Sequence, residues 1–337
     1  MAEKESVIQT FSGKEVKITS PSKIYFSKRS ETKIDLVDYY EAISEQIMNT
    51  MGGRPVLLQR FPNGASGKSF FQKRVPKSAP DWLETTTVST PNGTESNAMV
   101  VKDLAHIIWA VNMGSLGFHV WPYKAATPEI SDELRIDLDP TPGTTFEDAR
   151  LAAGLVKDFI DELGMKGFAK TSGSKGIHIF LRLKPIWDSF QVRAAAVAMA
   201  RELERRHPNE LTAAWWKEER GSKIFIDFNQ NCPHKTMFGA WCVRPRVGAQ
   251  VSTPFYWEEL NTIDPEILTI ETVPARVQSD GDPWADINQT KCDIDELLKM
   301  SKTDMTNGLM DAPWPPQYPK QPNEPPRVQP SRAKKYS

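Results

Sequence analysis

The sequence is short of several things, and each shortage excludes something. Three cysteines among 337 residues are too few for a disulfide framework, and their odd number points to a reducing compartment. No apolar run is long enough to cross a bilayer, and the charged, polar N-terminus carries no signal-peptide core. A bacterial-type cytosolic, nucleoid-associated location with no membrane partner is therefore expected. Net charge is only −1, so overall charge does not announce a nucleic-acid binder. No internal repeat is evident.

What is present is apolar mass and an uneven distribution of charge. A hydrophobic content of 39%, with 15 Phe and 10 Trp, supports a real core in one large domain or two ordinary ones. From Arg54 to Lys77 there are six basic residues (Arg54, Arg60, Lys68, Lys73, Arg74, Lys77) and no acidic one. Phe61, Phe70 and Phe71 lie among them, as suits a surface on which single-stranded bases stack. Lys14, Lys17, Lys23, Lys28, Arg29 and Lys33 form a second basic cluster upstream.

Helical spacing of Leu36, Tyr40, Ile43 and Ile47 predicts an amphipathic helix ended by Gly52-Gly53. A β-like run and a helix near Leu104–Trp109 follow. Thr145 is placed to cap a helix running to about Leu163, and Ser189–His207 reads as another, stopped by Pro208. Residues 168–183 read as a hairpin and Lys223–Phe228 as a strand. Strands with one polar face each, irregularly mixed with helices, point to an α+β fold whose sheets are covered by helices on one side. Eight prolines from Pro313 to Pro330, then Arg332-Ala333-Lys334-Lys335, predict a disordered or extended tail over 301–337, after a domain at 1–300.

The most informative stretch is Leu134-Arg135-Ile136-Asp137-Leu138-Asp139. Successive strand side chains point to opposite faces, so Asp137 and Asp139 emerge together, opposite Leu134, Ile136 and Leu138. Two carboxylates that close raise each other's pKa unless a cation lies between them, and hard oxygen donors suit Mg²⁺ or Mn²⁺. The same alternation sets Asp227 opposite Ile224, Ile226 and Phe228, and His178 opposite Ile177, Ile179 and Leu181. Asp137, Asp139 and Asp227 supply the three carboxylates that two-metal chemistry uses.

Thr171-Ser172-Gly173-Ser174-Lys175-Gly176 runs directly into His178. Its glycines let successive backbone N–H groups converge on a phosphate, with Lys175 adding charge. It is not a Walker A loop, whose spacing is absent. Arg244-Pro245-Arg246 could clamp phosphate bidentately. Cys232, His234 and Cys242 fit no four-ligand zinc pattern and read as structural.

The motifs DLDP (137–140), TSGSKGIH (171–178), FIDFNQN (225–231) and VRPR with VSTP (243–254) resemble the polymerase domain of bacterial ligase D, in the archaeo-eukaryotic primase superfamily. KIYFSKRSETKIDLVDYY (23–40) and GRPVLLQRFPNG with SFFQKR (53–74) extend the likeness over roughly residues 15–275. These 337 residues hold no Lys-x-Asp-Gly adenylation motif, so the chain is expected to resemble the stand-alone mycobacterial and actinobacterial primase-polymerases.

The resemblance implies a primase-type core with two β-sheets, one of them RRM-like, flanked by helices. It implies two divalent ions, Mn²⁺ favoured over Mg²⁺, on Asp137, Asp139 and Asp227. Ser172, Lys175 and His178 would contact the triphosphate, with Arg244 and Arg246 near the same nucleotide and His119 close to its sugar. Lys23 and Lys33 match lysines that grip a 5′-phosphate, and Phe70 and Phe71 match an aromatic pair that stacks on the template. Gln59-Arg60 departs from the family, which has lysine before the arginine; Arg60 is the expected substitute contact. The implied activity is templated addition of a few nucleotides, NTP before dNTP, at a gapped or broken duplex bearing a 5′-phosphate, beside a separate DNA ligase and Ku. Two other readings are a non-catalytic gap- or end-binding factor and a phosphatase with the Asp-x-Asp-x-Thr signature of 137–141.

Overall fold

The computed structural model describes residues 5–329. The chain opens with the hairpin β1 (Ser6–Phe11) and β2 (Lys14–Thr19), then the short pair β3 (Ile24–Phe26) and β4 (Glu31–Thr32). Thr32 and Asp35 form a capping box at the start of α1 (Lys33–Ala42), and α2 (Ser44–Met51) follows. The single helix expected here is two, because Ile43 leaves the helical region at φ −114 and ψ 26. Gly52 then caps α2, and Gly53 turns the chain at φ +74.

Six strands make the first large sheet: β5 (Pro55–Arg60), β6 (Phe70–Gln72), β7 (Thr85–Ser89), β8 (Glu95–Val100), β9 (Ser115–Val120) and, far downstream, β15 (Met237–Phe238). Their order is β15-β9-β5-β8-β7, with β6 also paired to β5. Between β8 and β9 runs α3 (Leu104–Asn112), capped by Asp103.

The second sheet holds β10 (Glu133–Pro140), β11 (Gly167–Thr171), β12 (Ile177–Arg182), β13 (Leu211–Thr212) and β14 (Ile224–Ile226), in the order β11-β12-β10-β14-β13. Only β13–β14 is parallel. The helices α4 (Phe146–Glu162) and α5 (Ser189–Arg206) pack on β10, the first capped by Thr145 and the second by Asp188. This is an α+β fold. Leu134, Ile136 and Leu138 are buried beneath these helices, each contributing roughly 1.5–3 kcal/mol.

The other face of β10 is covered over most of its length, and only Asp139 at its end is exposed. Arg135 donates from Nη1 to the carbonyl of Val120 on β9 at 2.8 Å, so the polar face looks onto the first sheet. Charge is buried there as a network. Arg54 reaches Asp132 at 2.7 Å and Glu133 at 3.2 Å, Arg135 reaches Glu133 at 2.6 Å, and Arg182 reaches Glu133 at 2.9 Å. Arg54 and Arg135 are essentially inaccessible.

After α6 (Thr272–Asp280) and α7 (Asp295–Thr306), the proline-rich segment departs from the expected flexible arm. Its described part, to Gln329, lies on the protein, with Trp314, Tyr318 and Glu324 buried. Arg193 on α5 explains the docking: it pairs with Asp311 at 2.9 Å and lies 4.0 Å from the Trp314 ring centre. The basic end, Arg332–Lys335, falls outside the described residues.

Arg54→Met should leave Asp132 and Glu133 short of a buried partner and destabilise the fold by about 3 kcal/mol or more. Chemical denaturation checks this, and a loss below about 1 kcal/mol would mean that the network carries little of the inter-sheet packing.

Candidate active site

Antiparallel pairing arranges four polar side chains in one row across the second sheet. Asp137 on β10 stands opposite His178 on β12, which stands opposite Lys170 on β11. On the other side, Asp227 follows β14 directly and its N–H donates to the carbonyl of Asp137 at 2.9 Å. Asp227 is thus not a strand residue, as alternation over Lys223–Phe228 would have it; it caps the 3-10 turn Phe228–Asn231. Its Oδ1 accepts from the Asn229 N–H at 3.0 Å and its Oδ2 from Gln230 Nε2 at 2.7 Å.

Asp139, two residues beyond Asp137 on the same face, completes a trio. Oxygens of Asp137, Asp139 and Asp227 lie within 4.8 Å of one another. Burial pushes the Asp137 carboxyl above the usual range. Burial does the same to Asp139, reinforced by the charges of Asp137 and Asp227. Asp227 is pushed up to about 6, by burial and by Asp137. Asp137 Oδ1 is buried without a hydrogen-bond partner, His178 Nε2 standing 3.2 Å away without hydrogen-bond geometry. Three mutually repelling oxygen donors, one of them orphaned, fit a divalent cation.

Behind them, Lys170 Nζ contacts His178 Nδ1 at 2.8 Å and donates to Ser252 Oγ at 2.6 Å. With Lys170 Nζ as the donor to Nδ1, the imidazole proton sits on Nε2, facing Asp137. Burial, Lys170 and Arg244 all hold His178 well below the usual histidine pKa.

The loop after β11 closes tightly. Gly173 has φ +70, and a Cβ there would stand 2.6 Å from Arg244 Cγ and 3.2 Å from the Ser252 nitrogen. The expected open nest is not what the loop forms. The N–H groups of Ser174 and Gly176 turn onto Ser172 Oγ at 3.2 and 3.0 Å, and the loop presents the exposed Lys175 instead. Arg244 donates from Nε to the Ser172 carbonyl and lies 3.8 Å from the Phe238 ring centre, whereas Arg246 is exposed.

Asp137, Asp139, Ser172, Lys175, His178, Arg244 and Arg246 line a cleft of about 640 Å³ with His119 in its wall. Burial, then Arg244 and Lys170, lower the His119 pKa to about 4, and its Nε2 is buried without a partner. Phe71 meets His119 edge-on at 5.6 Å, joining the cleft to the basic aromatic segment. Phe70 and Phe71 are 48% and 57% exposed, unusual for phenylalanine without a partner. Arg60 lies 5.1 Å from the Phe70 ring centre and bonds Met113 O at 2.6 Å and Gln72 Oε1 at 2.7 Å.

The two upstream lysines differ. Lys23 is half-buried and donates to Pro62 O at 2.7 Å and to Asn63 Oδ1 at 3.1 Å. Lys33 is 4% exposed, bonded to the carbonyls of Thr19 and Asn112, and lowered to about 8 by burial and by Lys23.

Sequence reasoning missed Lys170, Ser252 and Gln230. It also missed Arg220, which lies 3.4 Å from the Phe225 ring centre and draws the Asp139 pKa back down. Lys170 shares a face of β11 with Phe168 and alternates with Ala169 and Thr171, a signal with meaning only once its register with His178 is known. Cys232 and Cys242 are buried free thiols, and His234 contacts Ser89 Oγ at 3.1 Å. The phosphatase signature fails: β10 lies between antiparallel neighbours, and the Thr141 hydroxyl sits 2.9 and 2.7 Å from the carbonyls of Gly221 and Lys223.

Residues 32–284 match the family model for the LigD primase-polymerase domain. The chain is 30% identical over 286 residues to the multifunctional non-homologous end joining protein LigD of Mycolicibacterium smegmatis, covering 84% of this chain and 37% of that one. It is also 30% identical to the bifunctional LigD of Bacillus subtilis, covering 80% of this chain and 44% of that one. The chain thus spans well under half the length of these curated relatives. The solved polymerase domain of Mycobacterium tuberculosis ligase D in complex with DNA superposes with a TM-score of 0.77 at 28% identity, over 82% of this chain and 99% of that one. This chain belongs to the LigD primase-polymerase domain family.

Proposed function

We propose that this chain is a template-dependent nucleotidyltransferase that adds a few nucleotides, NTPs before dNTPs, at gaps or breaks bearing a 5′-phosphate during end-joining repair. The observation that carries this reading is the carboxylate trio, within 4.8 Å, at a cleft that carries the Lys175 loop and whose His119 wall meets the exposed Phe71. Its relatives include the LigD proteins of non-homologous end joining and a ligase D polymerase domain solved with DNA.

Asp137, Asp139 and Asp227 would hold two divalent ions, Mn²⁺ or Mg²⁺, which when bound supply Lewis acidity for activating a primer 3′-hydroxyl and for neutralising departing pyrophosphate. The protein's own groups do the rest. Lys175 and Arg246, both exposed at the cleft, attract the triphosphate, and Arg244 braces Ser172 beside it. His178, fixed by Lys170, offers an N–H next to Asp137. His119 offers its unpartnered Nε2 toward the nucleotide sugar. Phe70 and Phe71 take a template base on their exposed faces, with Arg60 stacked behind. Lys23 meets the 5′-phosphate, and Lys33 lends charge from inside. A separate ligase and Ku are the expected protein partners.

Primer extension on a gapped, 5′-phosphorylated duplex with Mn²⁺ and NTPs tests this reading; salt-sensitive binding without extension would leave only a gap-binding factor. Asp139→Asn should cut extension by about a thousandfold or more while DNA affinity holds. The same variant relieves carboxylate repulsion, so the metal-free protein should melt higher than wild type at pH 7.5. A lower melting point would contradict that electrostatics.

Protons compete with metal for these groups. Mn²⁺ affinity should therefore fall as pH drops through about 6, where Asp227 takes up its proton, and calorimetric titration between pH 5 and 8 measures it. Stability of the metal-free fold runs the other way. A carboxyl whose folded pKa is raised binds its proton more tightly when folded, so this contribution falls as pH rises from the unfolded value toward 6.

Phe71→Ala should weaken gapped-DNA binding by about 1–3 kcal/mol with little change in melting temperature, because the ring is half exposed. Fluorescence anisotropy checks this, and unchanged affinity would remove Phe71 from the template contact.

A further inference from the structure

The segment after α7 lies beyond the matched residues 32–284, yet it covers the turn that holds the third aspartate. That turn is a single 3-10 stretch, Phe228–Asn231, a geometry with weak internal hydrogen bonds that needs support from outside. Its inner side presents the Asn229 N–H and the Gln230 amide to Asp227.

Its outer side is held by residues 311–318 and one arginine. Asn229 Nδ2 donates to the Pro313 carbonyl at 3.0 Å, and Asn229 Oδ1 accepts from Arg193 Nε at 2.9 Å. Arg193 is 2% exposed and also bonds Asp311 at 2.9 Å and the Ala312 carbonyl at 2.9 Å. Its guanidinium lies between two rings, 4.0 Å from the centre of Trp314 and 5.7 Å from that of Phe228. Trp314 Nε1 bonds Asp311 at 2.7 Å, and Tyr318 donates to the Pro233 carbonyl just past the turn. Trp314 and Tyr318 close over Cys232 in a small apolar cluster.

One residue therefore connects the two sides. Asn229 presents its backbone N–H to the Asp227 carboxylate and its side chain to the tail. We propose that residues 311–318 form a positioning strap, which fixes the 3-10 turn through Asn229 and Arg193 and so sets the Asp227 carboxylate for the divalent cation. The inference rests on the metal-dependent reading of the trio given above. The strap touches no substrate; it acts through the turn.

The test uses the full-length chain carrying Trp314→Ala or Trp314→Phe. Mn²⁺ affinity is read by electron paramagnetic resonance of the free ion, alongside thermal melting and primer extension over a range of Mn²⁺. Trp314→Ala should bind Mn²⁺ about tenfold more weakly and need correspondingly more for half-maximal extension. Saturating Mn²⁺ should restore its rate, the KM for gapped DNA should not change, and Trp314→Phe should recover most of the affinity. A lowered melting temperature with unchanged Mn²⁺ affinity would overturn the proposal, because the tail would then only stabilise the fold. Should Trp314→Ala fail to fold, Asp311→Asn loosens the same grip more gently. A smaller shift of the same sign supports the strap, and unchanged affinity overturns it. A wild type that binds Mn²⁺ but extends no primer defeats the polymerase reading alone, and affinity still decides the strap. A wild type that binds no Mn²⁺ overturns both.

Discussion

The structure depends on the two faces of one strand. β10 buries Leu134, Ile136 and Leu138 under helices and turns Glu133, Arg135 and Asp137 toward the first sheet, with Asp139 exposed at the end of the same face. Charge between two sheets is tolerated only when it is paired, so the inner end of this face is neutralised by Arg54, Arg135 and Arg182. At the outer end the pairing stops. Asp137 and Asp139 stand with Asp227 and with no arginine bonded to any of them among the described residues. One continuous polar face is thus structural at one end and chemically poised at the other.

That difference sets the electrostatics of the cleft. The carboxylates repel and are raised in pKa, while Lys170, Arg244 and the two histidines around them are lowered, each principally by burial. In every one of these groups the charged form is less favoured than it would be in water. Under the proposed function, a bound cation and a polyanionic nucleotide would relieve both sets of shifts together.

Much of this was legible in the sequence, and the limits have physical reasons. Strict alternation in Leu134–Asp139 and Ile177–Leu181 fixes which side chains share a face, so the Asp137–His178 row could be anticipated. Alternation does not reveal what lies opposite, so the polar face was expected to be open on one side when it in fact meets another sheet. Alternation in FIDFNQN places Asp227 in a strand, but the strand ends at Ile226 and the chain turns at Phe228. Lys170 and Arg220 gain meaning only from pairing and from loop position, neither of which has a local period. The tail misled because proline content reports on local chain stiffness. What docks it is Trp314, Tyr318 and one arginine more than a hundred residues away.

If β10 and the turn after β14 converge to make a divalent-metal centre, crystals soaked in Mn²⁺ and measured near the manganese absorption edge should show anomalous density between Asp137, Asp139 and Asp227, and Asp137→Asn should abolish it. Manganese bound elsewhere, with no density among these three carboxylates, would contradict a metal centre there.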